Sequence, residues 1–147
     1  MKHIKEVYPK PPSPCYCLNL RRASRAVTQL YDEILKPSGL TVAQLALLSN
    51  LEVAEQATIN ELSKILRVDR TTLNRNMKPL VDAGFIEINP GKDSRTRQIK
   101  LTKEGKDVVA SGMALWKEAQ GTMKEYVGKE ELAMLKQLLS KLEALVP

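Results

Sequence analysis

Residues 58–105 decide the fold, and they read TINELSKILRVDRTTLNRNMKPLVDAGFIEINPGKDSRTRQIKLTKEG. Thr58 is followed three residues later by Glu61, which is the spacing of a capping box at the start of a helix. A tight turn is predicted at Val68-Asp69, and Asp69 is suited to cap a second short helix. Two short helices joined in this way predict a helix-turn-helix.

A β-hairpin is predicted directly after these two helices. Gly84 suits the left-handed position that ends a helix, and Phe85–Ile88 and Arg97–Leu101 alternate as strands do. Residues 89–96, between the strands, are rich in turn formers, and Thr102 stands where it can cap a further helix. This order is typical of a winged helix-turn-helix, a shape that commonly places its second helix in the DNA major groove.

Amphipathic helices are predicted on both sides of this unit. Apolar residues recur at helical spacing from Leu20 to Ile34, and a capping box at Thr41 opens the next helix. A long helix after the wing is interrupted at Gly128, and a last helix spans Glu130–Val146. A winged helix of ordinary size does not need these outer helices, so their apolar faces predict a two-fold homodimer. Packing inside a larger monomer is the alternative.

The predicted fold class is therefore mainly α with a small β-hairpin wing, a winged helix-turn-helix flanked by N- and C-terminal dimerisation helices. The chain divides into a Pro-rich N-terminal arm at 1–17 and a single domain at 18–147. Within that domain the DNA-binding lobe is expected at 41–105 and the dimerisation helices at 18–36 and 106–146.

Composition predicts one domain with no membrane partner. A chain of 147 residues has the length of one domain, and its 43% of hydrophobic residues suffices for a core. No run approaches the ~20 apolar residues of a membrane span, and the N-terminus lacks the apolar segment of a secretory signal. Two cysteines without an export signal predict a cytoplasmic protein with reduced thiols.

The net charge of +6 is unevenly distributed along the chain. Residues 58–105 carry ten Lys and Arg against six Asp and Glu, whereas residues 106–147 carry six of each. A local basic excess attracts phosphate backbones. Charge alone would equally suit a merely solvated basic face, so the interpretation depends on where the cations stand.

The second helix of the motif has one polar side that is suited to DNA. The residues predicted to face the core fall together on a helical wheel: Leu73, Met77, Leu80 and Val81. The opposite side offers short polar groups followed by long cations, which can reach base edges and phosphates. The predicted DNA-contacting residues of this helix are Arg70, Thr71, Thr72, Asn74, Arg75 and Lys78. Pro79 is expected to bend the helix beyond these residues. The alternative to a DNA-contacting surface is a polar face that is merely exposed to solvent.

The tip of the hairpin is basic. Lys92, Arg95 and Arg97 lie at or beside it, where an arginine can enter a narrow minor groove. Asp93 is two residues from Arg95, and a carboxylate there can orient the guanidinium through paired hydrogen bonds. An exposed ion pair of little energetic weight is the alternative for Asp93. All four residues join the predicted DNA-contacting set.

Taken together, these motifs resemble the MarR (multiple-antibiotic-resistance regulator) family. The matching residues are Leu62, Leu66 and Val68, Asp69-Arg-Thr-Thr-Leu73, Leu80 through Gly84-Phe-Ile, Asp93-Ser-Arg95 and Leu101-Thr-Lys-Glu-Gly105. The resemblance implies a homodimer built from both chain ends, a palindromic operator, and a small molecule or oxidant that changes DNA affinity. It also implies that Arg95 is the minor-groove arginine with Asp93 as its anchor. Pro79 and the Pro-rich arm depart from the family's pattern.

Cys15 and Cys17 are candidates for a redox signal. Some peroxide sensors of this family carry a reactive cysteine near this position, close to tyrosines, and Tyr16 lies between the two thiols here. The alternative is that the two cysteines are only small, semi-buried residues at a dimer interface. A metal site is not expected, because a closed zinc site needs four ligands and His3 is the only histidine. No cofactor is expected either.

A small-molecule effector would be expected to bind between the DNA-binding lobe and the dimerisation helices. The residues that could line such a pocket are Leu30, Tyr31, Met113 and Trp116. They could equally belong to the core.

Three functions compete for this sequence. An enzyme would need a nucleophile with a base, a carboxylate pair or a phosphate loop, and the chain has one histidine, no Gly-x-Ser-x-Gly and no Gly-Lys-Ser/Thr. A winged helix used for protein contact predicts apolar groups where Arg75 and Lys78 stand. The sequence therefore favours a transcriptional regulator, expected to be a repressor with a small-molecule effector. A thiol-based oxidant sensor of the same fold, using Cys15 and Cys17, is the alternative.

Overall fold

The computed structural model describes residues 2–91 and 96–147. This part of the chain is mainly helical with one small antiparallel sheet, which confirms the predicted fold class. In chain order the elements are α1 (Tyr16–Leu35), a 3₁₀ turn (Lys36–Ser38), α2 (Val42–Ala54), β1 (Gln56–Ala57), α3 (Ile59–Leu66), α4 (Arg70–Asp82), β2 (Ile86–Pro90), β3 (Arg97–Leu101), α5 (Lys103–Val127) and α6 (Lys129–Glu143).

Side-chain caps start α2 and α3 where the sequence predicted them. The Thr41 hydroxyl accepts from the Gln44 N–H at 3.2 Å, and the Gln44 side chain accepts from the Thr41 N–H at 3.0 Å, which completes a capping box at α2. At α3 the Thr58 hydroxyl accepts from the Glu61 N–H at 3.2 Å. Each bond satisfies an amide that the helix itself leaves without a partner.

The wing is a three-stranded antiparallel sheet with the strand order β1-β3-β2. The alternation along β3 buries Ile99 and Leu101 in the core. β2 spans Ile86–Pro90 rather than the predicted Phe85–Ile88. The sequence does not predict β1, because two residues are too few to show alternation; it pairs with β3 through Ala57, which is fully buried.

α2 forms the centre of the core. Its buried residues are Leu45, Leu47, Leu48 and Leu51. The helix contacts α1, α3, α4, α5 and β3, so its leucines have apolar neighbours on nearly every side. Leu73, Met77 and Leu80 of α4 belong to the same buried cluster. The underside of α4 is thereby fixed, and its other side is left facing solvent.

Small residues let α5 pack closely on the lobe. The buried positions of α5 are Gly105, Val109, Gly112, Ala119 and Thr122. A Cβ on Gly112 would stand 2.8 Å from Leu45 Cδ1, closer than packed carbon atoms approach. Asp32 of α1 accepts from the Val42 N–H at the start of α2, at 2.8 Å. The flanking helices α1 and α5 are therefore tied directly to α2.

Candidate nucleic-acid interface

α4 separates a buried apolar side from an exposed polar side. Among the residues predicted to face inward, Leu73, Met77 and Leu80 are buried, whereas Val81 is 37% exposed because it stands at the edge of the apolar face. The predicted outward residues that are exposed are Arg70, Thr71, Asn74, Arg75 and Lys78. The helix continues through Pro79 to Asp82, so the proline does not end it.

Asp69 fixes the start of α4. Its carboxylate accepts from the Thr72 N–H at 2.7 Å and from the Thr72 hydroxyl at 3.1 Å. These two bonds, with smaller contributions from the Thr71 N–H and the positive charge of Arg75, hold the pKa of Asp69 below its usual value of 3.8. The cap is therefore ionised at neutral pH, where its negative charge complements the N-terminal end of the helix dipole.

Thr72 differs from the other predicted contact residues. It is half-buried, and its hydroxyl proton is donated to Asp69. Its oxygen can therefore still accept a hydrogen bond, and its methyl group remains for apolar contact. The bond from the Thr72 hydroxyl to Asp69 depends on a side-chain rotamer, so the sequence could not predict it.

The wing brings one predicted cation, Arg97, beside the helix. Arg97 is exposed at the start of β3. The Gly91 N–H donates to the Thr96 carbonyl at 2.6 Å, which closes the base of the hairpin tip. Three residues predicted for the tip, Lys92, Asp93 and Arg95, lie outside the described residues.

A cleft of about 330 Å³ lies between α3, α4 and the wing. Three predicted DNA-contacting residues line it together: Arg70 and Asn74 from α4, and Arg97 from β3. Asn60 and Thr96 line it as well, although neither was predicted from the sequence. For Thr96 the sequence offers one signal, its position next to Arg97. The fold thus gathers cations and amides from separate elements on one side of the lobe.

The turn between α3 and α4 contacts the C-terminal helix. Arg67 adopts the left-handed conformation with φ of 53°, which reverses the chain between the two helices. Its guanidinium lies 3.3 Å from the carboxylate of Glu143 in α6. Both side chains are largely exposed, so the pair is expected to add little stability.

Comparison with known proteins identifies this arrangement. A profile described as the MarR family matches residues 38–96. The M. tuberculosis transcriptional regulator MosR, solved in complex with DNA, is 32% identical; the alignment covers 90% of this chain and 99% of MosR, with a TM-score of 0.77. The chain belongs to the MarR family of transcriptional regulators.

Other MarR-type proteins extend the comparison. A mutant of E. coli MarR solved with operator DNA is 28% identical and aligns over 87% of this chain and 91% of that one, with a TM-score of 0.76. The uncharacterized HTH-type transcriptional regulator YwoH of Bacillus subtilis is 29% identical over 85 residues. That match spans 58% of this chain and 62% of YwoH. These relatives are transcriptional regulators, which decides against the enzyme alternative.

In this MarR-family chain the two cysteines stand at the start of α1, and both are exposed. Cys15 is the N-cap residue, and its Sγ accepts from the Leu18 N–H at 3.4 Å. Cys17 lies in the first turn of the helix. Within the described residues, no group of three or more His, Cys, Asp and Glu could hold a metal ion. No described helix is long and apolar enough to cross a membrane.

The residues predicted for an effector pocket are all half-buried in the single chain: Leu30, Tyr31, Met113 and Trp116. The Tyr31 hydroxyl donates to the side-chain oxygen of Gln120, which joins α1 to α5. Burial raises the pKa of Tyr31, so its phenol is neutral at physiological pH. Met113 and Trp116 also pack against the buried core cluster.

Proposed function

We propose that this chain is a DNA-binding transcriptional regulator that acts in the cytoplasm as a homodimer on a palindromic operator. We further propose that it is a repressor. The observation that carries the proposal is the exposed polar side of α4, whose residues Arg70 and Asn74 line one cleft with Arg97 of the wing. Two MarR-type relatives solved with DNA support the same reading.

In this proposal the outward residues of α4 read the major groove. Arg75 and Lys78 are long, exposed cations one turn apart, so both can reach a guanine edge or a phosphate from the same side of the helix. Thr71 and Asn74 stand near the N-terminal turns, where a recognition helix approaches the bases. Arg70 is assigned to the phosphate backbone.

The wing is proposed to grip the adjacent minor groove. Arg95 is assigned as the inserted arginine, Asp93 as its anchor, and Lys92 and Arg97 as phosphate contacts. Arg97 supports this assignment, because it lines the same cleft as α4 residues and so stands beside the recognition helix. Such contacts favour narrow grooves with strongly negative potential.

The homodimer is proposed to form through the flanking helices. The leucines of α6 left 38–49% exposed in the single chain are Leu135, Leu138, Leu139 and Leu142. Leu18, Leu20 and Val27 of α1 are also partly exposed. Apolar faces of this extent on helices outside the lobe are typical of an interface with a second copy.

The test is binding to duplex DNA from the protein's own promoter at rising salt, measured by fluorescence anisotropy. Several phosphate contacts per dimer should release counterions together, so affinity should fall about a thousandfold between 50 and 200 mM salt. A matched single-stranded DNA of the same sequence serves as the control. Absence of binding to the duplex, or an affinity insensitive to salt, would contradict the proposal.

The small-molecule effector is proposed to bind at Leu30, Tyr31, Met113 and Trp116, where α1 faces α5. Trp116 is the only tryptophan, so an effector that weakens DNA binding from this site should also change the tryptophan fluorescence. An effector that weakens DNA binding and leaves that fluorescence unchanged would contradict the assignment.

A thiol-based sensor is a second candidate, favoured by the exposure of both cysteines and by the Leu18 N–H directed at the Cys15 sulfur. A peroxide would oxidise the Cys15 thiol to a sulfenic acid, releasing water or an alcohol. The Cys17 thiol would then displace water to form a disulfide. DNA affinity should fall after peroxide treatment in the wild type and persist in Cys15→Ser. Equal responses in both proteins would reject this candidate.

A further inference from the structure

A second basic surface lies far from α4 in the sequence. Residues 7–31 contain Lys10, Arg21, Arg22 and Arg25 and no Asp or Glu. Three of these cations, Lys10, Arg22 and Arg25, line one groove of about 670 Å³ between the N-terminal arm and α1. The ion pairs described within residues 2–91 and 96–147 involve other cations. Among the described residues, the groove therefore concentrates positive charge that no ion pair neutralises.

Specific hydrogen bonds hold the arm against α1. The Ser13 N–H donates to Asn19 Oδ1 at 2.9 Å, and the Asn19 amide donates back to the Ser13 carbonyl at 2.8 Å. The Ser13 hydroxyl also accepts from the Cys15 N–H at 3.1 Å. At the other end of the arm, His3 lies 3.2 Å from Glu118 of α5. The N-terminal arm, which forms one side of the groove, is thus attached to helices near both of its ends.

The placement of the cations is unfavourable without an anion. Arg22 and Arg25 both lie on α1, whose first turn contains no acidic residue. Arg22 and Arg25 are three residues apart on the helix, where like charges repel. A bound anion would relieve this repulsion.

We propose that the arm–α1 groove binds a small anion with two or more negative charges, such as a phosphate ester or a polycarboxylate. Lys10, Arg22 and Arg25 would supply charge-assisted hydrogen bonds. Gln29 lines the groove and offers an amide donor, and Asn19 keeps one amide N–H beyond its bond to Ser13. The remaining lining residues, Pro11, Pro12, Ala23 and Ala26, accommodate a short hydrocarbon part. The volume is that of small-molecule sites. This proposal does not rest on the proposed DNA binding.

The test is isothermal titration of the full chain, without DNA and at low salt, using pyrophosphate and citrate as probes. The double variant Arg22→Gln/Arg25→Gln should bind the preferred probe at least about tenfold more weakly. The matched control Lys136→Gln/Lys141→Gln removes two exposed cations of α6 and should bind like the wild type. Added NaCl should weaken binding. The ratio of the two affinities separates a phosphate site from a carboxylate site.

Three outcomes would overturn the proposal. The first is no measurable binding of either probe. The second is an equal loss in the groove variant and in the control, which would indicate unspecific attraction. The third is unchanged probe binding while Arg22→Gln/Arg25→Gln shifts self-association or DNA affinity, which would assign the cations to a second copy or to DNA. Because the titration contains no DNA, failure here leaves the regulator proposal intact.

Discussion

At the scale of single residues, Asp69 connects the stability of α4 to the surface that α4 presents. Its carboxylate accepts hydrogen bonds from the Thr72 N–H and hydroxyl, and these bonds are the main reason why its pKa is lowered. A carboxyl group whose pKa is lower in the folded state than in the unfolded state stabilises the fold at every pH above its unfolded-state pKa. That stabilisation is lost as the pH falls through the folded pKa.

We therefore expect Asp69→Asn to separate capping from charge. Asparagine caps helices about as well as aspartate, so the variant should still fold at neutral pH with a somewhat lower free energy of unfolding. The difference from the wild type should be constant above about pH 5 and shrink below about pH 4. Urea unfolding of both proteins from pH 2 to 7 measures it. A difference that does not change with pH would show that the charge contributes nothing.

The outward residues of α4 could be predicted from the sequence, because a helix of fixed period places Arg75 and Lys78 opposite Leu73 and Met77. Other features depend on three-dimensional details that the helical period of the sequence does not reveal. The bond from the Thr72 hydroxyl to Asp69 requires one rotamer, and the contact of Arg67 with Glu143 joins residues 76 positions apart.

At the scale of elements, local chemistry made the starts of α2, α3 and α5 predictable. Thr41, Thr58 and Thr102 each accept from the backbone N–H three residues later, a pattern readable in sequence. β1 was not predictable in this way, because a two-residue strand forms only beside β3. The buried stripe of α5 was not predictable either. Small residues such as Gly112 are buried only because α2 crosses there.

Gly105 offers a direct test of how closely α5 approaches the wing. A Cβ at this position would overlap the Phe85 carbonyl oxygen, which itself accepts from the Thr102 N–H at 3.1 Å. Gly105→Ala should therefore lower the free energy of unfolding by about 1–3 kcal/mol, measured by urea denaturation.

Gly121 provides the matched control in the same helix, because a Cβ there would meet no atom within 4 Å. Gly121→Ala should raise the free energy of unfolding by about 0.5–1 kcal/mol through helix propensity. Equal effects of the two substitutions would contradict the proposed close packing of α5 on the wing.

At the scale of the whole molecule, the lobe and the flanking helices are joined by fixed contacts. Asp32 bonds to the first turn of α2, and Gly112 lets α5 pack against Leu45. A second copy bound to α1 and α6 would therefore set the positions of two α4 helices relative to each other. In a two-fold dimer such helices read half-sites about one DNA turn apart.

The dimer can be tested by charging the exposed side of α6. Leu138 and Leu142 are 49% and 41% exposed in the single chain. Leu138→Glu/Leu142→Glu should raise the dimer dissociation constant about thirtyfold or more, measured by sedimentation velocity. Val53→Glu is the control, because Val53 is 85% exposed on α2 and should not affect association. A dimer unaffected by the α6 variant, or a wild-type monomer, would contradict the proposed interface.

The central claim is that the outward sides of two α4 helices, one from each protomer of a dimer, read the same DNA duplex. Selection of bound DNA from a random pool tests this claim most directly. The wild type should enrich a two-fold symmetric site. Arg75→Ala should lose about 1–3 kcal/mol of preference at one base pair in each half-site and keep the rest of the consensus. A wild-type pool without a symmetric consensus, or a consensus identical in the Arg75→Ala protein, would contradict the account.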